Sequence, residues 1–378
     1  MQNVIAAGLG IGDDYPPRIM GVLNVSEESP YDPSVYDDPG EAAEYVDSEL
    51  IAEGADIVDV GLESANKRFE VLSAEEELDR LDTALETIES VSGDAVFSIE
   101  TRYGEVADEA LSRGFDMVND ICGFADPRMP DVCRDHDAAV VKMASPPDLE
   151  RPGAIEKVDD IYDALKREGL TDKTIVDPAF GGWSEAKTLA DDRETFRRLR
   201  EFRGLGQPIL VSINRKNFLR ELADRSTDEA LPVSLAATSM AVERGAHVVR
   251  THDVAETADA AKIGAAFARE RLGDDELGVE ELDVTSAAET ARHLERLGAD
   301  PDRADDATTR VFELSGLAAA ERETLAAAAA DAGVVFTTGT AGDLLAGSPA
   351  ALARLRDAVT GASDRLGAIF DTVTRPKR

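Results

Sequence analysis

The stretch "GADIVDVGLESANKRF", Gly54 to Phe69, decides the fold. Its first half follows a glycine and is almost continuously apolar up to Glu63. A run that is apolar on both alternations fits a strand covered on both faces, as in a parallel sheet. From Ser64 onward the stretch turns polar. The same pattern recurs in "RIMGVLNV", "AVFSIET", "DMVNDICG", "AAVVKMA", "TIVDPAF", "PILVSIN" and "HVVRTHD", short β-branched runs that end in polar residues. Between them, segments such as "GEAAEYVDSELIAEG", "AEEELDRLDTALETIESV" and "EVADEALSRG" carry apolar residues at three- and four-residue spacing, the helical period. Gly54, Gly114 and Gly245 stand where a helix should stop before the next strand.

Each repeat is about thirty residues long, and eight strands with their helices between Arg18 and Leu272 give a closed (β/α)8 barrel. A doubly wound open sheet would need a Gly-rich phosphate loop after an early strand, and the sequence has none. "MQNVIAAGLGIGDD" reads as a strand or loop that caps the domain. It lacks the basic region of a secretory leader, and no apolar run is long enough to span a bilayer, so a cytoplasmic protein is expected. "GDDELGVEELD", Gly273 to Asp283, is acidic and turn-rich and reads as a linker. The organisation expected is a barrel over 1–272, a linker over 273–283, and a small α/β domain over 284–378. In that domain "TTRVFELSG" and "VVFTTGT" read as strands and "TAGDLLAG" as a plain strand-to-helix connection, with a phosphate-binding turn as the alternative. Its role is unassigned.

The formal net charge of −37, on a chain that is 43% hydrophobic and 31% charged, bounds the partners. A nucleic-acid binder needs a basic face to displace counterions from phosphates, and an anionic membrane makes a similar demand. Acidic residues are spread along the whole chain and Arg is favoured over Lys, as expected of a halophilic protein whose self-repulsion is screened by a salty cytosol. Ordinary acidity is the alternative. Cys122 and Cys133 are too few for a disulfide framework and have no metal-ligand partner nearby, so both should be buried small apolar groups.

Barrel active sites lie at the C-terminal ends of the strands. The strand tips offer Asn24, Glu63, Glu100, Asn119 with Asp120, Lys142, Asp177, Asn214 with Lys216, and Arg250 with His252. Arg250 and His252 alternate along a strand and project to one face, where together they could hold a phosphate or diphosphate. A strand-end arginine paired to an acidic helix is the plainer reading. Lys216, after Arg215, could donate to a carbonyl or an anion, or be a solvated loop charge. Asn119 and Asp177 are costly to bury without partners. A heterocycle with several donors and acceptors would satisfy them, and so would hydrogen bonds within the barrel. The loop from Asn24 to Asp38, rich in Pro, Ser, Tyr and Asp, reads as a mobile lid or an acidic surface loop.

In order and spacing, "MGVLNV", "GADIVDVGLES", "VFSIET", "GFDMVNDICG", "VDPAFG", "PILVSINRKNF" and "GAHVVRTHDVAET" resemble the dihydropteroate synthase family, from about Met20 to Phe267. The resemblance implies a pterin-binding barrel enzyme of folate biosynthesis. Such a transferase condenses a dihydropterin methyl diphosphate with 4-aminobenzoate, uses Mg²⁺, and works as a homodimer formed through barrel helices. It implies that Glu100, Asn119, Asp177 and Lys216 bind the pterin. Asn24, Arg250 and His252 would hold the diphosphate, with Asn24 near the metal and Lys216, Arg250 and His252 central to catalysis. The chain departs from the family at Leu62, usually a second glycine, and after the shared Ser64 at Ala65, Asn66 and Lys67, where the family usually has Ser-Thr-Arg-Pro over the four. The arginine so lost would have contacted diphosphate, a place that Lys67 or Arg68 could take. Glu100 stands for Asp, Lys142 for His and Asn214 for Ser, and Lys187 carries over only loosely. Two alternatives remain at this point: a pterin-dependent methyltransferase, and a non-catalytic pterin-binding paralogue.

Overall fold

The computed structural model describes residues 1–25, 34–63, 71–149, 152–181, 186–274 and 276–375. The chain divides into two compact units, Met1–Glu270 and Arg271–Arg378.

The first unit opens with an antiparallel hairpin, β1 (Val4–Ala6) and β2 (Leu9–Ile11). Eight parallel strands follow: β3 (Arg18–Asn24), β4 (Ile57–Gly61), β5 (Val96–Thr101), β6 (Met117–Asp120), β7 (Ala139–Met143), β8 (Thr174–Asp177), β9 (Leu210–Val211) and β10 (Val248–Thr251). Their order is β8-β7-β6-β5-β4-β3-β10-β9, and a parallel bridge between Val176 and Ile209 closes the ring. This is the (β/α)8 barrel expected from the repeats. The helices that follow the strands are α1 (Pro39–Tyr45), α2 (Ala74–Ser90), α3 (Gly104–Ser112), α4 (Met129–Asp135), α5 (Val158–Lys166), α6 (Leu189–Arg197), α7 (Asn217–Ala223), α8 (Leu231–Glu243) and α9 (Val254–Ala266). Helix α2 starts on a reciprocal cap: Ser73 Oγ accepts from the Glu76 amide, and Glu76 accepts from the Ser73 amide at 2.7 Å. Gly54, Gly114 and Gly245 all take positive φ ahead of β4, β6 and β10.

Side-chain parity separates two apolar layers. Val58, Val60, Ile99, Val118, Val140 and Val176 point outward and join the helices in one core. Met20, Ile57, Val96, Met117, Val141, Ile175 and Val248 point inward and fill the lower barrel. Val4, Ala6 and Ile11 of the hairpin belong to this inner cluster, so the N-terminal segment plugs the bottom of the barrel with apolar side chains. Two residues further along five of the strands, the same inward parity turns polar: Asp59 after Ile57, Ser98 after Val96, Asn119 after Met117, Asp177 after Ile175, and Arg250 after Val248. A packed apolar floor thus carries a polar layer above it.

The second unit begins with a small hairpin, β11 (Gly273–Asp274) with β12 (Val279–Glu280), inside the stretch expected to be a linker. Beyond it come α10 (Ala287–Arg296), α11 (Ala304–Ala307), β13 (Arg310–Leu314), α12 (Ala319–Ala332), β14 (Val335–Thr338), β15 (Asp343–Gly347), α13 (Pro349–Ala358) and α14 (Asp364–Val373). The three strands form an antiparallel sheet in the order β13-β15-β14, and Leu314, Leu325, Leu345, Leu352, Leu355 and Phe370 share its core. "TAGDLLAG" is therefore not a simple connection. Its Asp343–Gly347 is the central strand, with a two-leucine apolar run too short to stand out in the sequence.

Replacing Ile11, fully buried in the barrel floor, by Ala should cost about 2–5 kcal/mol through transfer and cavity terms. Ile5→Ala, on the exposed side of the same hairpin, should stay within about 0.5 kcal/mol. Urea unfolding midpoints of the two variants measure the contrast.

Candidate active site

The polar layer forms one connected constellation. Asp59 on β4 is fully buried, and its Oδ2 accepts from Arg250 Nε at 2.7 Å and from Asn119 Nδ2 at 2.9 Å. Arg250 also donates from Nη2 to Glu100 Oε2 at 2.6 Å. Three adjoining strands and β10 are thereby stitched across the barrel interior. Asp59 Oδ1 and the hydroxyl of Ser98, in register on β4 and β5, are buried and have no hydrogen-bond partner among the described residues. Asp177 accepts from the Ala179 amide at 2.8 Å. Lys216 lies beside Gly181, where a Cβ would sit 3.2 Å from Nζ, so a side chain at 181 would crowd the ammonium.

Asn24 donates from Nδ2 to Ser34 Oγ at 3.1 Å, which turns Oδ1 toward Gly61. A Cβ at Gly61 would lie 3.1 Å from that oxygen and 3.9 Å from Glu100 Oε1. The glycine in "DVGLE" thus keeps the space between Asn24 and Glu100 open. Leu62, which stands where the family usually has a second glycine, is buried in the outer core and does not enter the mouth.

Burial pushes the Glu100 carboxyl from 4.5 up to about 7; Arg250 pulls against this, and Asp59 and Glu63 add to it. Burial likewise lifts Asp177 from 3.8 to about 6, against its own amide hydrogen bond and the charge of Lys216. Lys216 is lowered by burial and by Arg250. His252 falls from 6.5 to about 3, chiefly through burial and then through Arg250, so it is a neutral imidazole at pH 7. Arg250 is raised, because Glu100 and Asp59 outweigh its burial. These shared influences place Glu100, Asp177, Lys216, Arg250 and His252 in one electrostatic neighbourhood, and Asn119 joins it through Asp59.

Other expected tips serve structure. Lys142 has outward parity; its ammonium donates to the carbonyls of Arg167 and Gly169 and stacks on the Phe124 ring. It is absent from the mouth because it alternates with inward-facing Val141. Asp120 also faces outward and caps the turn after β6 by accepting from the amides of Cys122 and Phe124. Glu63 turns to Arg102 at 2.6 Å. Arg215 and Asn214 both bind Asp253, tying the loop after β9 to the loop after β10. Lys187 is buried against Asp192 at 3.0 Å and donates to the Ala179 carbonyl. Cys122 and Cys133 are buried free thiols, as expected, each pushed up by burial. Arg68, with Ala65, Asn66 and Lys67, lies outside the described residues, as does the 26–33 part of the expected lid. Asp59 is a site residue that the strand tips do not mark. Its signal is a carboxylate at inward parity inside an apolar strand, a group too costly to bury without partners.

Among the described residues no cluster of three or more His, Cys, Asp or Glu could hold a metal ion. The mouth offers a divalent ion one amide oxygen, Asn24 Oδ1, which fits a Mg²⁺ held mainly by phosphate oxygens and water better than a protein-only cage.

A barrel whose strand ends gather buried carboxylates, an amide, an arginine and a lysine is built to bind and transform a polar small molecule. A profile of the pterin binding enzymes matches residues 20–252. The dihydropteroate synthase of Bacillus subtilis is 32% identical over 251 residues, 65% of this chain and 86% of that protein. A probable bifunctional folylpolyglutamate synthase/dihydropteroate synthase of Halobacterium salinarum is 34% identical over 260 residues, 66% of this chain. That match spans only 31% of the haloarchaeal relative. The dihydropteroate synthase of Thermus thermophilus, solved with 4-aminobenzoate and with 6HMPPP, superposes with a TM-score of 0.57 at 29% and 31% identity, covering 70% of this chain and 100% of that one. The chain belongs to the dihydropteroate synthase family of pterin binding enzymes.

The raised Glu100 carboxyl sets a pH signature. An acid whose folded pKa is raised is penalised when ionised, so its stabilising effect is full below 4.5 and is lost as pH rises from 4.5 to about 7. Glu100→Gln should flatten the fall in melting temperature across that window. Parallel melting profiles for variant and wild type would show that Glu100 ionises without cost.

Proposed function

We propose that this chain is a dihydropteroate synthase, joining a dihydropterin methyl diphosphate to 4-aminobenzoate with release of diphosphate. The observation that carries the reading is the inward polar layer. Glu100, Asn119 and Asp177, with the open Oδ1 of Asp59, present acceptors and donors in a dry setting, as a pterin ring demands. Carboxyls with raised proton affinity can share protons with ring nitrogens, and Lys216 can donate to a ring carbonyl or nitrogen.

In the reaction the bond between the pterin methylene and the diphosphate oxygen breaks, and its electrons leave with the diphosphate. The amine lone pair of 4-aminobenzoate forms the new carbon–nitrogen bond, and the amine then sheds a proton. Positive charge develops on the pterin as diphosphate departs, and the Asp59, Glu100 and Asp177 carboxyls lie where they can offset it. Arg250 is held rigid by two carboxylates, so any contact it makes with diphosphate comes from a pre-aimed guanidinium. Neutral His252 can donate one N–H beside it without adding charge. Asn24 would hold Mg²⁺ through Oδ1, and the ion when bound neutralises charge on the leaving diphosphate. Arg68 is assigned to the same anion.

A second reading, a non-catalytic pterin-binding paralogue, is favoured by one observation: Arg250 already spends two donors on carboxylates. Turnover separates the two. Purified full chain with dihydropterin methyl diphosphate, Mg²⁺ and labelled 4-aminobenzoate should form labelled dihydropteroate. Asp177→Asn should weaken pterin binding and Lys216→Ala should cut kcat/KM by about 10²-fold or more. Pterin binding without product would establish the paralogue reading, and an unaffected Lys216→Ala would remove that residue from the site.

The reading extends to a cytoplasmic, salt-adapted homodimer. Exposed Met240, Ile263 and Phe267 lie on or just after α8 and α9, which pack so closely that a Cβ at Gly264 would fall 2.5 Å from the Ser239 carbonyl. The net charge of −37 should make the fold salt-dependent, since the screening length drops from about 10 Å at 0.1 M to about 3 Å at 1 M salt. Melting temperature should rise between those KCl concentrations, and sedimentation in 1 M KCl should report twice the chain mass. A flat salt response or a monomer would withdraw the corresponding assignment.

A further inference from the structure

In "SINRKNF" Asn214 and Arg215 stand just before Lys216, and in "VVRTHDVAET" Asp253 stands just after His252. Strands β9 and β10 are neighbours, so the loops that carry these residues meet. Asp253 Oδ2 accepts from Asn214 Nδ2 and from Arg215 Nε, both at 2.8 Å, and Oδ1 accepts from Arg215 Nη2 at 2.8 Å. The guanidinium and the carboxylate are thus paired fork to fork. Arg215 Nη1 donates to the carbonyls of Thr227 at 2.9 Å and Asp228 at 3.2 Å, and the Arg215 amide donates to Ser234 Oγ on α8 at 2.8 Å. Burial alone would raise the Asp253 carboxyl, but the hydrogen bonds from Arg215 and Asn214 hold it below its ordinary value. The Arg215 and Asp253 side chains are 16% and 15% exposed, so salt screens this pair less than a surface ion pair.

The backbone of Arg215 is left-handed, with φ 51°, a conformation that a residue with a Cβ keeps only where its surroundings hold it. Lys216 follows directly, with its ammonium beside Gly181. Were Arg215 released, its backbone would relax and the lysine would move with it. The other end of the anchor adjoins His252. That imidazole is lowered by burial and then by Arg250; Asp253 opposes the fall, and Lys216 and Arg215 add to it. In the synthase reading Lys216 holds the pterin end of the first substrate, and His252 with Arg250 holds the diphosphate end. The bond that breaks lies between the two ends, so the spacing of these donors decides how well it is placed.

We propose that Asp253 is a positioning residue that brackets the loops after β9 and β10 and so sets the distance between Lys216 at the pterin end and His252 at the diphosphate end. The inference rests on the synthase reading above, and its test reads affinity, which does not require turnover. Calorimetry on the full chain in high KCl gives Kd for the dihydropterin methyl diphosphate with Mg²⁺, and for the corresponding alcohol, which lacks the diphosphate. Asp253→Asn keeps the shape but breaks the forked pairing, and Arg215→Lys cuts the bracket from the other loop. By charge alone, removing an anion from beside the diphosphate site would tighten the diphosphate compound. Lost positioning should instead weaken it by about tenfold or more in each variant, and weaken the alcohol as well. The effect should pass through the two site residues. Added to Lys216→Ala, Asp253→Asn should change Kd for the alcohol by less than about twofold, and added to Lys216→Ala with His252→Ala it should do the same for the diphosphate compound. General loosening of the fold would act fully in every background. If Asp253→Asn misfolds, Arg215→Lys carries the same cycles. Tighter or unchanged diphosphate binding in the folded variants, or full additivity with the site variants, overturns the inference alone. A wild type that binds neither compound overturns the synthase reading and this inference with it.

Discussion

Asp59 is fully buried, and a buried carboxylate persists only where charge and hydrogen bonds meet it. One of its oxygens receives Arg250 and Asn119 together. Those two residues come from strands that are not neighbours, and each is a candidate ligand contact. The carboxylate therefore sets where both can point. Arg250 in turn reaches Glu100, so β4, β5, β6 and β10 are joined through charged hydrogen bonds, which are about twice as strong as neutral ones. Candidate ligand contacts fixed by one another are preorganised, which is the condition for electrostatic catalysis.

The constellation is held from outside by loops under local strain. Phe124, Ala179 and Arg215 have φ values of 66°, 59° and 51°, in a region that costs non-glycine residues about 1–3 kcal/mol each. All three follow strand C-termini at the mouth. Each strained turn is paired with a lock: the Phe124 amide donates to Asp120, the Ala179 amide to Asp177, and the Arg215 guanidinium to Asp253. In the case of Asp177 the lock is itself a candidate ligand contact, so the bent loop and the aimed carboxylate are one device.

The barrel was legible because its evidence is redundant: eight apolar runs, each with a helical partner, leave little choice of topology. The site was legible only in part, because a polar residue at a strand tip can face either way, and one position of register decides between them. Asp177 and Lys142 look alike in sequence, each a charge closing a β-branched run. Parity sends Asp177 inward and Lys142 outward to the carbonyls after α5. Asp59 is inconspicuous for the opposite reason. It sits inside the run and not at its tip, although its inward parity with Ile57 is readable. Arg102 could not be read at all, since its meaning depends on Glu63, Leu72 and Glu77 meeting in space. In the second unit the central strand stays hidden because two leucines between glycines give no period to detect.

The altered second loop can be judged from its flanks. By the resemblance read from the sequence, an arginine is expected after β4, where the chain has Ala65, Asn66 and Lys67. The flanks on either side are well held. Glu63 and Leu72 are gripped from below by a fully buried arginine, and Arg80 secures Leu62. Burying Arg102 carries a desolvation cost, which its contacts with Glu63, Glu77 and the Leu72 carbonyl offset. The Glu63 end of these contacts lies beside Asn24 and Glu100, since a Cβ on Gly61 would fall 3.9 Å from the Glu63 carbonyl, 3.1 Å from Asn24 Oδ1 and 3.9 Å from Glu100 Oε1. The described flanks of the altered loop are thus fixed against the same part of the mouth that Asn24 and Glu100 line.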